Sequence, residues 1–133
     1  MQLNFFTDYC LRILIYLHRN NTKLSSTKNI ADYYKISLNH TRKIVYQLSK
    51  LEYIKTVKGK NGGIKIEAKT YNIKLGDFIS LLEPKKNFVE CFNNKNNKCI
   101  LSRECKLKFI LSKTYDDFFI SLNKYNIGDI LYE

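Results

Sequence analysis

Cys91, Cys99 and Cys105 fall within 15 residues, in the spacing C-x7-C-x5-C. A thiolate is a soft ligand, and three of them on one flexible loop can converge on a single soft metal centre, which is difficult for residues spread through a rigid core. The spacing does not choose the metal. Zinc normally takes a fourth protein ligand, whereas an iron-sulfur cluster tolerates an unusual one. Against both stands the plainer reading of three unconnected buried cysteines. The fourth cysteine, Cys10, reads as a small apolar residue on a helix. Neither histidine follows the cysteine loop. His18 ends the first predicted helix, and His40 lies in the third, where it contacts a ligand or caps the turn. No Cys-His pair at local motif spacing, phosphate loop or HExxH motif is present, and the Gly59–Gly63 run lacks the strand-loop-helix context of a nucleotide-binding loop. The chain does not read as an enzyme.

The elements that must position this loop follow from periodicity and caps. Leu11, Leu14, Ile15 and Leu17 after Thr7, a candidate N-cap, predict a helix over about 7–19. Ser26 or Thr27 opens a short second helix with Ile30, Tyr33 and Tyr34 on its buried face. Ser37 opens a third, on which Ile44, Leu48 and Leu51 recur at helical spacing. Two short helices separated by about three residues, behind a supporting helix, form a helix-turn-helix. Residues 53–58 and 64–66 are β-prone runs joined by a glycine-rich tip that carries Lys58 and Lys60, as a wing reaching a phosphate backbone requires. A fourth helix over 74–82 stops at Pro84, the only proline. Residues 85–104 lack regular periodicity. From about Ser102 to Lys124 a long helix carries Leu107, Ile110, Leu111, Phe118, Phe119 and Leu122, a stripe that predicts packing against its counterpart in a homodimer. The alternative is that this helix folds back onto its own domain. The expected fold class is mainly α with a small β-hairpin: a winged helix-turn-helix domain plus a long C-terminal dimerisation helix.

At 44% hydrophobic and 14% aromatic residues the 133-residue chain is too apolar to stay disordered, even at a net charge of +11. The first 66 residues hold twelve Lys and Arg against Asp8, Asp32 and Glu52, whereas residues 67–133 hold eleven against nine acids. A polyanion partner is therefore expected to dock on the first half. No run approaches the ~20 apolar residues of a membrane span, and the first twenty residues read as an amphipathic helix rather than an export signal. A reducing cytoplasm is the expected setting, where the cysteines stay thiols or bind metal.

The sequence resembles the Rrf-type family of winged-helix repressors and, within it, the NsrR group of nitric-oxide-sensing regulators. The resemblance covers nearly the whole chain. It is carried by Phe6-Thr7-Asp8-Tyr9, Leu38-Asn39-His40, Lys43-Ile44, Gln47-Leu48-Ser49, the wing Lys58 to Ile64, Leu82-Glu83-Pro84 and the three cysteines. It implies that Cys91, Cys99 and Cys105 ligate a 4Fe-4S cluster, with Asp8 of the partner subunit supplying an oxygen ligand. The related IscR-type regulators use a histidine after the cysteines, and none follows Cys105. This loop is longer than the group's tighter spacing, at small entropic cost. Position 10 holds Cys where the group has Gly, so Cys10 stands beside Asp8 as a candidate fourth ligand.

Three regions are expected: 1–84 for binding double-stranded promoter DNA, 85–105 as the cluster-binding loop, and 106–133 as dimerisation helix and tail. Asn39, His40, Arg42 and Lys43 should face the bases, and Lys58, Lys60 and Asn61 the backbone or minor groove. Nitric oxide is the expected signal, releasing a repressing homodimer from its operator. The alternatives are a 2Fe-2S regulator answering iron or cluster supply, a structural zinc protein, and a small electron-transfer protein, for which a basic wing has no use.

Overall fold

The computed structural model describes residues 2–132, and the chain forms two compact units. The first runs to Ile73 and is rejoined from Ile127 onward; the second is Lys74–Asn126. The units thus divide the chain differently from the three functional regions read from the sequence.

In the first unit α1 spans Phe5–Arg19. Its N-cap is Asn4, whose Oδ1 accepts the Thr7 N–H at 2.9 Å, and not Thr7 as the sequence predicted. Thr7 is instead fully buried, because the helix begins two residues earlier and turns this position inward. Helices α2 (Thr27–Tyr34) and α3 (Leu38–Lys50) are capped by Ser26 and Ser37, whose hydroxyls accept N–H groups at 3.0 and 3.1 Å. Lys35, at φ 54°, makes the left-handed turn between them. The core joins Cys10, Ile13, Leu14 and Leu17 of α1 to Ile30, Ile44 and Leu48. Tyr33, expected inside, is 61% exposed. Ile30 and Ala31 fill the buried face, and Tyr33 lies over Tyr16 at 5.0 Å instead.

Strands β1 (Ile54–Val57) and β2 (Gly63–Ile66) pair antiparallel, Ile54 opposite Ile66 and Val57 opposite Gly63. The hairpin is pinned to the approach of α2 by Ser25, which exchanges two backbone bonds with Ile64 at 3.1 and 2.8 Å. A helix the sequence reading left in the tail, α6 (Ile127–Leu131), returns Ile127 and Leu131 to this core. Their i, i+4 spacing was the available signal.

In the second unit α4 (Leu75–Leu82) packs on α5 (Lys106–Leu122). Asn123 clasps the first turn of α4, accepting the Asp77 N–H at 2.9 Å and donating to the Asp77 carboxylate at 2.7 Å. Helix α5 begins four residues later than the periodicity predicted, because Cys105 caps it. Leu111, Phe119 and Leu122 are half-buried, whereas Leu107, Phe109, Ile110 and Ile120 are exposed by more than half. Among the described residues no helix is long and apolar enough to cross a membrane.

The wing is seated at Gly63, where a Cβ would stand 2.7 Å from Leu24 Cβ and 2.8 Å from the Ser25 carbonyl oxygen. Gly63→Ala must displace the segment that pins the hairpin. The expected cost is about 1–3 kcal/mol, read as a fall in Tm of roughly 5 °C or more by circular dichroism. An unchanged Tm would show that the Leu24–Ser25 segment yields freely.

Candidate nucleic-acid interface and metal centre

The α2-turn-α3 arrangement presents one face of α3 to solvent. Asn39, His40, Arg42 and Lys43, the residues expected to face bases, are all exposed there. His40 is not a free side chain: its ring stands edge-on to Phe5 at 4.5 Å, which ties the start of α3 to α1. Tyr46, 68% exposed, and Lys50 continue the same face one and two turns on, and sequence reasoning missed both. Counting i+4 from Arg42 and i+3 from Lys43 would have found Tyr46.

Lys58, Lys60 and Asn61 are exposed at the wing tip, where Gly59 takes φ 108° and accepts the Gly62 N–H at 3.0 Å. The electrostatics of the unit favour an anion. All three carboxylates of the first 66 residues already hold cations at 2.8 Å: Asp8 with Arg12, Asp32 with Lys28, and Glu52 with Lys69. Among the described residues no carboxylate pairs with Arg42, Lys43, Lys58 or Lys60. These four cations project uncompensated from the recognition face and the wing.

The candidate metal ligands divide between the units. Cys91 sits in a 3-10 turn, Glu90–Phe92, Cys99 follows a polar loop, and Cys105 is the N-cap of α5, its Sγ accepting the Lys108 N–H at 3.4 Å. All three are free thiols and half-buried. Among the described residues no three His, Cys, Asp or Glu side chains are gathered into a metal site, so the expected convergence of the sulfurs is not seen. The backbones of Cys91 and Cys99 are each held by a local bond: Phe92 N–H to the Val89 carbonyl at 3.0 Å, and Cys99 N–H to Asn97 Oδ1 at 3.0 Å. The donor set nonetheless fits a soft metal group in type and accessibility: three uncombined thiols on a segment without long regular structure.

Asp8 and Cys10, the two candidates for a fourth ligand, point in different directions. Two residues apart on a helix is a rotation of about 200°, so Asp8 lies at the surface while Cys10 has no exposure at all. Burial pushes the Cys10 thiol up to about 12, leaving no thiolate at neutral pH. Asp8 Oδ2 is held by Arg12 at 2.8 Å, and this hydrogen bond raises the guanidinium further above its ordinary value. The difference in burial gives a direct check. Iodoacetamide at pH 8 should alkylate Cys91, Cys99 and Cys105 in the native protein and reach Cys10 only after unfolding. Peptide mass mapping reads the four sites, and prompt labelling of Cys10 would contradict its burial.

The model of the Rrf2 family, described as iron-dependent transcriptional regulator, matches residues 3–133. The HTH-type transcriptional regulator NsrR of Bacillus licheniformis is 43% identical over 132 residues, covering 98% of this chain and 92% of that one. The regulator of the same name in Bacillus subtilis is 37% identical, covering 98% and 90%. Among solved structures, the oxidised form of Staphylococcus aureus CymR superposes with a TM-score of 0.75 at 22% identity, over 100% of this chain and 98% of that one. T. potens IscR gives 0.73 at 20%, over 98% and 86%. These structural likenesses establish the winged-helix fold. With a family match over nearly every residue and relatives above 30% identity along the full length, the chain belongs to the Rrf2 family of transcriptional regulators, not to an enzyme family.

Proposed function

We propose that this regulator is a DNA-binding repressor, acting in the cytoplasm as a homodimer, whose promoter binding is switched by nitric oxide through a 4Fe-4S cluster. Cys91, Cys99 and Cys105, with Asp8 of the partner subunit, are the ligands. The observation that carries the reading is the joining, in one chain 43% identical to an NsrR regulator, of an uncompensated basic winged helix to a loop of three accessible thiols. When bound, the cluster supplies an iron that a small molecule can attack, most readily where the ligand is oxygen rather than sulfur.

The chain's own residues do the rest. Arg42, Lys43 and Tyr46 of α3, with Asn39 and His40 at its start, meet base edges and phosphates of a major groove, while Lys58, Lys60 and Asn61 meet the backbone beside it. Asp8 stands on the outer face of α1, and the inner face of that helix packs against α3. Asp8 would hold the cluster from that outer face, so loss of the link would act on α1 and, through its packing, on α3. The exposed Leu107, Phe109, Ile110 and Ile120 of α5 supply the apolar surface on which a second copy pairs, fixing the spacing between two recognition helices.

The family description as iron-dependent supports a second reading, a 2Fe-2S centre answering iron or cluster supply. Mössbauer spectra of anaerobically purified protein separate the two cluster types. The nitric-oxide reading is tested by titrating reconstituted protein anaerobically, following visible absorbance and promoter binding in the same samples. Both should be lost together within a few equivalents per cluster; absorbance that changes while DNA stays bound overturns it. For the interface, Lys58→Ala and Lys60→Ala should each lower the slope of log affinity against log salt by roughly one. Binding isotherms at several salt concentrations measure this, and an unaltered slope removes the wing from the contact.

A further inference from the structure

The mouth of the Cys91–Cys99 loop is closed by a side chain. Glu90, immediately before Cys91, accepts on Oε1 the backbone N–H of Lys98, immediately before Cys99, at 2.6 Å. The bond therefore joins equivalent positions on the two cysteine arms. Inside it the chain folds on itself through local bonds: Asn93 N–H to the Glu90 carbonyl at 3.0 Å, Asn96 N–H to the Asn93 carbonyl at 3.2 Å, and Lys95 N–H to Asn93 Oδ1 at 3.1 Å. From inside the loop, Asn97 reaches past the closure: its Oδ1 takes the Cys99 N–H at 3.0 Å and its Nδ2 donates to Ser102 Oγ at 2.9 Å.

The Cys91 turn is itself anchored to α5. Lys85 Nζ lies 2.7 Å from both oxygens of Asp116 and stands over the rings of Phe92, at 5.7 Å, and Tyr115, at 5.6 Å. Phe88 packs between those two rings, 6.1 Å from Phe92 and 5.0 Å from Tyr115. One cysteine arm is thus fixed on the helix, and Glu90 fixes the second arm to the first.

The geometry points to Glu90 as a positioning residue for the metal centre, one that ties together the backbones of the Cys91 and Cys99 arms so that the sulfurs have less chain to order when a metal gathers them. The inference rests on the reading of these cysteines as ligands. Closing a seven-residue spacer costs chain entropy, and a bond already formed at the mouth takes that cost during folding, before any metal arrives. A carboxylate acceptor for a backbone N–H is also a stronger clip than a neutral one. The longer spacing between the first two cysteines is thereby shortened in effect.

The test uses the full chain and two variants, Glu90→Ala and Glu90→Gln. Anaerobic apo-protein is titrated with Co2+, reading the thiolate-to-cobalt absorbance, and reconstituted protein is mixed with a ferrous chelator to time iron release. Glu90→Ala should weaken Co2+ binding about tenfold and hasten iron release by a similar factor, while Glu90→Gln, keeping an acceptor oxygen, falls between. Tm should not move in either, which separates positioning from general destabilisation. Equal Co2+ affinity and equal release rates in Glu90→Ala and the parent overturn the inference and leave the cysteine ligands standing. If the parent itself takes up neither Co2+ through thiolate nor an iron-sulfur centre, the reading of the cysteines fails and this inference falls with it.

Discussion

The seating of α1 is the constraint on which the first unit depends. Cys10, Ile13, Leu14 and Leu17 line one side of that helix with no more than 2% exposure, and α3 packs directly on it. Truncating one such leucine to alanine typically costs about 2–5 kcal/mol, so α1 and α3 are held as one body. The opposite side of α1 carries Asp8 and Arg12 at the surface. A close-packed interior passes a displacement on rather than absorbing it, so the helix that shows a carboxylate to the outside also sets the angle of the recognition face. The edge-on contact of Phe5 with His40 adds a second link, at the very start of α3.

Electrostatics reinforces this division of labour. The carboxylates of the first half are engaged within the unit by Arg12, Lys28 and Lys69, and among the described residues Arg42, Lys43, Lys58 and Lys60 have no carboxylate partner. In the second unit carboxylates serve as fasteners instead: Asp116 holds Lys85, Asp77 holds Asn123, and Glu90 holds the Lys98 N–H. The same residue type neutralises in one half and ties backbone or side chains in the other.

Much of this was legible in the sequence because short-range rules dominate where the chain is regular. Ser37 caps the helix it was expected to cap, Ser26 takes the role read for it or Thr27, and the glycine-rich wing lies between the two β-prone runs, because caps and turns are decided within a few residues. What failed depended on distance. Thr7 has the chemistry of a cap, but Asn4 took that role once both phenylalanines entered the helix. Tyr33 has the spacing of a core residue, yet its ring had aromatic neighbours at the rim. The return of α6 to the first unit depends on Ile73 and Ile127 meeting across the whole second unit, a pairing no local pattern encodes. The cysteine loop was legible in its ligand types and not in its arrangement, since no periodicity fixes the path of residues 93–98.

The sulfur of Cys105 closes the first turn of α5 by accepting the Lys108 N–H. A thiol is an inferior partner for that bond; serine, threonine, aspartate or asparagine would hold the end of the helix better. Position 105 thus holds a weak cap where a stronger one was available, and the ligand role proposed for its sulfur would account for that choice. Under the proposed ligand role this sulfur would serve the loop and the helix end together, since a thiolate that binds a metal keeps lone pairs for the Lys108 N–H. Its exposed Leu107, Phe109 and Ile110 lie within the next turn and a half. The exposed apolar start of α5 therefore rises from a turn closed by a single sulfur atom.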